Sequence, residues 1–177
     1  MKNNRNDKAA ARTAVGVVGL GIMGSAMSAN LVKAGFEVFG SDPVARARRR
    51  LTDAGGTAFA SATEVAREAR FIVLSLPSEA ALEAVCEELI ASNAKRLIVA
   101  ETSTLPESAK RRAHERLAEH GITLLDCPLS GTGAQAVNRD LAVYASGDAA
   151  AIKAFAPVFE GFARVRYDVA HPSMASG

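Results

Sequence analysis

Three glycines stand at the spacing G-x-G-x-x-G in the stretch Gly19-Leu20-Gly21-Ile22-Met23-Gly24. Glycines so placed suit the binding of a pyrophosphate. The first permits a tight turn, the second lets the backbone approach the anion, and the third lets a helix pack close to its strand. The spacing alone is common; its surroundings give it meaning. The apolar, β-branched run Ala14 to Val18 precedes it with the length of a buried strand. Small and apolar residues at helical spacing, Ala26, Met27, Asn30 and Leu31, follow it. Strand, glycine turn and helix succeed one another without a gap, which is the setting a dinucleotide fingerprint requires. The unpaired N–H groups at the start of such a helix face the phosphates.

A carboxylate stands where that fingerprint needs one. Asp42 lies about 20 residues beyond the glycines, at the end of a strand predicted over Glu37 to Ser41. There it accepts hydrogen bonds from the adenosine ribose and repels a 2′-phosphate, which favours NAD over NADP. Asp42-Pro43 also suits the capping of the next helix. The basic cluster Arg46, Arg48, Arg49 and Arg50 reads as a solvated helix face, yet an arginine reaching back would tolerate a 2′-phosphate, so NADP stays open.

The elements that must position these groups follow from the rest of the chain. The 177 residues suit one domain, and 49% hydrophobic content is ample for a core. No apolar run is long enough to span a bilayer. A net charge of +2 gives no electrostatic case for a nucleic-acid partner. The polar start, residues 1–13, has no apolar signal core and reads as a tail, which points to a cytoplasmic protein. Cys86 and Cys127 make no disulfide framework and read as small buried apolar residues, and no cluster has metal-ligand spacing. Further strands are predicted at Thr57 to Ala60, Phe71 to Leu76, Arg96 to Ala100, Ile122 to Cys127, Leu141 to Ser146 and Arg164 to Val169. Helices lie between most of them, one opened by a capping box at Ser61 and Glu64. The alternation predicts an α/β fold, a Rossmann-type doubly wound, mostly parallel sheet with helices on both faces and later strands antiparallel at the edge. Ligands of such sheets bind where strands end. Leu76 and Pro77 border that crevice, and polar residues Glu101 to Thr104 stand at another strand end. Pro128, Gly131 and Gly133 predict an irregular, functional loop over Asp126 to Ala136. His114 and His120 read as surface residues of an amphipathic helix.

Four stretches, GLGIMGSAMSANL, the LSLPS strand end, ETSTLPES and DCPLSGTGAQA, together resemble the β-hydroxyacid dehydrogenase family, which includes 3-hydroxyisobutyrate dehydrogenase and tartronate semialdehyde reductase. The resemblance covers residues 14 to about 168. It implies that Gly19, Leu20, Gly21, Ile22, Met23 and Gly24 bind the pyrophosphate and Asp42 the adenosine ribose. It implies that Leu76, Pro77 and Thr104 line the nicotinamide half, and that Ser130, Gly131 and Thr132 hold a substrate carboxylate. The family's paired glycines are replaced by Gly131-Thr132, and a further glycine by Gln135; the extra side chains would narrow the pocket or shift the preferred acid.

Family members continue with a glycine-rich helix that carries a catalytic lysine and then with a helical domain. Here Lys153 is the last lysine, and residues 170–177 carry no hydrophobic pattern. The expectation is a dinucleotide-binding domain over 14–169 without the family's lysine, so no catalytic residue is assigned. An apolar face that the helical domain would cover is expected to be exposed and to favour self-association. Three readings share this fold and cofactor: the cofactor half of an NAD(P)-dependent oxidoreductase acting on a small β-hydroxyacid, an NAD-binding module, and a truncated product without turnover of its own.

Overall fold

The computed structural model describes residues 11–169. Nine strands and seven helices alternate through them. Six strands form one parallel sheet in the order β3-β2-β1-β4-β5-β6. They are β1 (Ala14–Val18), β2 (Glu37–Ser41), β3 (Thr57–Phe59), β4 (Phe71–Leu74), β5 (Ile98–Glu101) and β6 (Thr123–Asp126). The chain runs outward from β1 to β3, then returns to the other side of β1 at β4. That reversal, between β1 and β4, is where a doubly wound sheet opens a crevice.

Alternation along the strands explains the two layers of helices. Val15 and Val17 of β1, Val73 of β4, Ala100 of β5 and Leu125 of β6 face one core. The helices α1 (Ile22–Lys33), α2 (Ala45–Asp53) and α7 (Ala149–Phe162) cover that face through Met27, Leu31, Leu51, Phe155 and Phe159. Val18, Ile72, Leu74, Val99 and Leu124 face the other core. There α3 (Ala62–Glu68), α4 (Glu79–Ala91) and α5 (Glu107–Ala118) pack through Val65, Leu82, Leu89 and Leu117. Both strand faces are apolar because both are covered, as a parallel sheet demands. Phe71 meets Phe155 edge-on, with ring centroids 5.5 Å apart. Burial of each such side chain contributes on the order of 2 kcal/mol.

A second, three-stranded sheet holds β7 (Leu129–Ser130), β8 (Ala142–Ala145) and β9 (Val165–Asp168). The β7–β8 pair is antiparallel and β8–β9 is parallel. An antiparallel bridge between Asp126 and Ser146 joins this sheet to the end of β6. The antiparallel strands expected at the edge of the main sheet are found in this second sheet instead, where only β7–β8 is antiparallel. The irregular loop expected over Asp126 to Ala136 is instead a short strand followed by the five-residue helix α6 (Gly133–Val137). The physical reason is a capping box. Thr132 Oγ accepts from the Gln135 N–H, and Gln135 Oε1 accepts from the Thr132 N–H at 2.9 Å. Two orphan donors are thereby satisfied, which offsets the cost of glycine at the helix start.

The capping box at Ser61 and Glu64 is present. Cys86 and Cys127 are buried, as expected, and burial pushes the Cys86 thiol up to about 11 and the Cys127 thiol well above its ordinary value. His114 is half-buried rather than free on the surface, with Nδ1 3.4 Å from the Leu124 carbonyl. Among the described residues, no helix is long and apolar enough to cross a membrane. Most of the expected amino-terminal tail and the expected carboxy-terminal tail lie outside the described residues.

Candidate functional site

The glycine turn connects the end of β1 to α1 at the reversal point of the sheet. Gly19 has φ +90°, a left-handed conformation that a side chain would strain. A Cβ on Gly24 would stand 1.8 Å from the Gly19 carbonyl oxygen, so the helix can approach the turn only without one. Gly21 differs from both. It is the N-cap of α1 with an ordinary φ of −68°, and a Cβ there would meet nothing within 4 Å. Its want of a side chain therefore serves no neighbour among the described residues. It keeps open the space above the helix start.

That helix start is uncapped: no side chain bonds the first amides of α1. The N–H groups of Ile22, Met23 and Gly24, at the first three helical positions, have no intrahelical acceptor by geometry. Bare amides at the positive end of a helix dipole make a site for a phosphate or pyrophosphate. Ile22 is 80% exposed beside them. Leu20 contributes differently. Its side chain is buried, its N–H donates to Asp42 Oδ2 at 2.8 Å, and its carbonyl accepts from Ser25 Oγ at 2.6 Å.

Asp42 follows β2 and is held by the backbone on both oxygens, since Oδ1 accepts from the Val44 N–H at 2.8 Å. The helix α2 takes Val44, not Asp42, as its N-cap. Each carboxylate oxygen retains a second lone pair, so the group is oriented and still able to accept from a ribose diol. Two arginines of the basic cluster do reach back. Arg48 Nη1 donates to the carbonyls of Asp42 at 2.6 Å and Pro43 at 3.1 Å, and Arg50 Nη2 donates to the Leu20 carbonyl at 3.1 Å.

The remaining candidates lie at the ends of neighbouring strands. The expected strand to Leu76 stops at Leu74, although the Leu74 carbonyl still accepts the Thr102 N–H at 3.0 Å and the Ser75 N–H still reaches the Val18 carbonyl; only at Leu76 does a side chain replace the backbone partner. Thr102 Oγ1 donates to the Leu74 carbonyl at 2.6 Å, and Ser103 Oγ accepts the Leu76 N–H at 2.7 Å. Leu76 and Pro77 thus sit beside the end of β5, and Thr104, exposed, follows it. Ser130 and Gly131 are exposed after β6, with Thr132 engaged by Gln135. Leu76, Pro77 and Thr104 lie beyond the carboxyl ends of the parallel strands β4 and β5, whereas Ser130 ends β7, which pairs antiparallel with β8.

Sequence reasoning passed over one polar cluster. Lys110, in the first turn of α5, is buried between Glu101 and Asp126. Its partners are far away in sequence, so only the pairing of β5 with β6 brings them together.

The comparisons with known proteins agree with this geometry. A family model, the NAD binding domain of 6-phosphogluconate dehydrogenase, matches residues 14–171. The chain is 33% identical over 153 residues to an NAD-dependent L-serine dehydrogenase of Pseudomonas aeruginosa, covering 85% of this chain and 51% of that protein. It is 33% identical over 141 residues to an L-threonate dehydrogenase of Cupriavidus necator, covering 77% of this chain and 47% of that protein. The structure of Mycobacterium tuberculosis 3-hydroxyisobutyrate dehydrogenase with L-serine superposes with a TM-score of 0.88 at 30% identity, over 93% of this chain and 56% of that one. The chain thus spans about half the length of these relatives. The match over residues 14–171, on a sheet that opens its crevice at the glycine turn, shows that the chain belongs to the family of NAD binding domains typified by 6-phosphogluconate dehydrogenase, whose relatives here are β-hydroxyacid dehydrogenases.

Proposed function

We propose that residues 14–169 are the cofactor domain of an oxidoreductase that moves hydride between nicotinamide and a small β-hydroxyacid or its semialdehyde. The observation that carries the cofactor part is the uncapped start of α1 beneath an open Gly21. In this reading the amides of Ile22, Met23 and Gly24 hold the pyrophosphate, and Asp42, oriented by the Leu20 and Val44 amides, accepts from the ribose. Leu76, Pro77 and Thr104 border the nicotinamide half. The nicotinamide, when bound, supplies the hydride acceptor or donor.

Ser130, Gly131 and Thr132 take the substrate carboxylate. The Thr132 N–H is already engaged by Gln135, while its hydroxyl accepts there and keeps its own proton to donate, so the Ser130 and Thr132 hydroxyls and the Gly131 backbone carry this task. The relatives named for L-serine and L-threonate support a small hydroxyacid as the substrate class. The reading assigns no catalytic residue within 14–169. In the family the proton donor is a lysine on a later helix, and the expectation about residues 170–177 lies outside the described residues. Self-association through an apolar face belongs to the same reading. The exposed side chains of Ile22, Val137, Tyr144 and Tyr167 support it.

Calorimetric titration of the chain and of Asp42→Ala with NADH and NADPH tests the reading. The chain binds NADH more tightly, and Asp42→Ala loses about tenfold for NADH while NADPH changes little. Equal losses for the two cofactors contradict the role given to Asp42. Tight NADPH binding by the unaltered chain would instead show that Arg48 or Arg50 serves a 2′-phosphate.

A further inference from the structure

We infer that Lys110 is a positioning residue for the nicotinamide half of the site, acting on Leu76 through Glu101 and Ser103. The inference rests on the cofactor reading above. It starts from a buried cation that neither the glycine turn nor the carboxylate loop explains. Lys110 is 6% exposed. Its Nζ donates to Asp126 Oδ1 at 2.7 Å and lies 2.9 Å from Glu101 Oε2. Glu101 is the last residue of β5 and is fully buried. Its Oε1 accepts the Ser103 N–H at 2.8 Å, and Ser103 Oγ accepts the Leu76 N–H at 2.7 Å. One ammonium therefore joins the ends of β5 and β6 and, through two hydrogen bonds, reaches the segment that follows β4.

The charge arithmetic shows why the ammonium matters. Among the described residues the Lys110 ammonium, 2.9 Å away, is the one cation within ion-pair distance of Glu101 Oε2, so it is what balances that charge. A carboxylate cut off from water stays ionised only beside a partner, and loss of that partner is far costlier than the pair is stabilising. Burial by itself would lower the Lys110 pKa, but Glu101 and Asp126 more than reverse that and hold it above the ordinary lysine value. Asp126 is partly open to water and tolerates the loss of the ammonium. Glu101 does not. Without Lys110 its side chain turns out of its buried place toward water, and the acceptor that fixes the Ser103 amide goes with it. The disturbance passes to Leu76. Among the described residues the cluster makes no hydrogen bond to the glycine turn or to Asp42; Leu76 meets the turn only by packing beside Gly19, so the larger loss falls on the nicotinamide half.

The test separates the two halves of the dinucleotide. NADH and ADP-ribose share the adenosine and the pyrophosphate, but ADP-ribose has no nicotinamide. Both are titrated into the unaltered chain, Lys110→Met, Lys110→Arg and the double variant Lys110→Met/Glu101→Gln, with melting curves for each. Lys110→Met loses about tenfold or more in NADH affinity and keeps ADP-ribose affinity within about twofold. Lys110→Arg retains both affinities. The double variant regains NADH binding, because a neutral glutamine still accepts the Ser103 amide and needs no counter-ion. Parallel losses for both ligands in Lys110→Met, or no loss for either, overturn the inference. If Lys110→Met does not fold, Ser103→Ala breaks the last link and must show the same selective loss; unchanged NADH affinity there overturns it. Failure of the unaltered chain to bind ADP-ribose strikes the cofactor reading itself, and this inference with it.

Discussion

The helices α1 and α6 both begin at the crevice and pack on each other, tied by Asn30 Nδ2 donating to the Ala136 carbonyl at 2.7 Å. Their first turns are built in opposite ways. The start of α1 has glycine as its N-cap and no side chain on its amides. The start of α6 is closed on itself, with Thr132 and Gln135 each satisfying the other's backbone N–H. A helix start that leaves donors bare carries a free-energy cost until an anion arrives. A start with a capping box has its N-cap and third amides satisfied and keeps only those of Gly133 and Ala134 bare. Thr132 and Gln135 are thus one feature, a pair of side chains that closes part of the first turn of α6 on itself.

The contrast can be broken at several points. Gly24→Ala gives the largest expected effect. A Cβ 1.8 Å from the Gly19 carbonyl oxygen forces turn and helix apart. The expected loss is about 3 kcal/mol of stability, net of the roughly 1 kcal/mol that alanine returns through helix propensity. Urea denaturation measures it. Gly21→Val sharpens the comparison, because this position has open space and an ordinary φ. Nucleotide binding in a calorimeter is expected to vanish while stability changes by less than about 1 kcal/mol. Gln135→Ala has the smallest effect. It removes one half of the α6 box and costs about 1 kcal/mol in denaturant unfolding. It also frees the Thr132 N–H. If the turn is self-contained as described, NADH affinity does not change in this variant.

How far the sequence discloses all this varies along the chain. The unit from β1 to α1 is legible throughout, because β-branched residues, glycines and small helical residues all point to the same local structure. The parallel, doubly wound class of the sheet follows from the alternation of apolar runs with helices, but its strand order does not. Strand ends are less legible. The strand predicted from Arg96 begins at Ile98, because Arg96 itself takes a positive φ of 61° that no strand residue adopts. β4 stops short of Leu76, whose N–H donates to the Ser103 side chain instead of a strand carbonyl. The helix α6 has a sequence signal, Thr132 with Gln135 three residues on, but Gly131 and Gly133 read as breakers and outweigh it. Lys110 has no local signal. On a highly charged helix it resembles any solvated lysine, and only the strand register brings its carboxylates to it.

The account turns on which backbone amides are free to meet a pyrophosphate. Amide resonances followed during titration of the 15N-labelled chain with NADH examine this directly. The account predicts that Ile22, Met23 and Gly24 shift strongly and saturate together, while Thr132 and Gln135 move little. Large saturable shifts at Thr132 and Gln135, with the start of α1 unmoved, would contradict it.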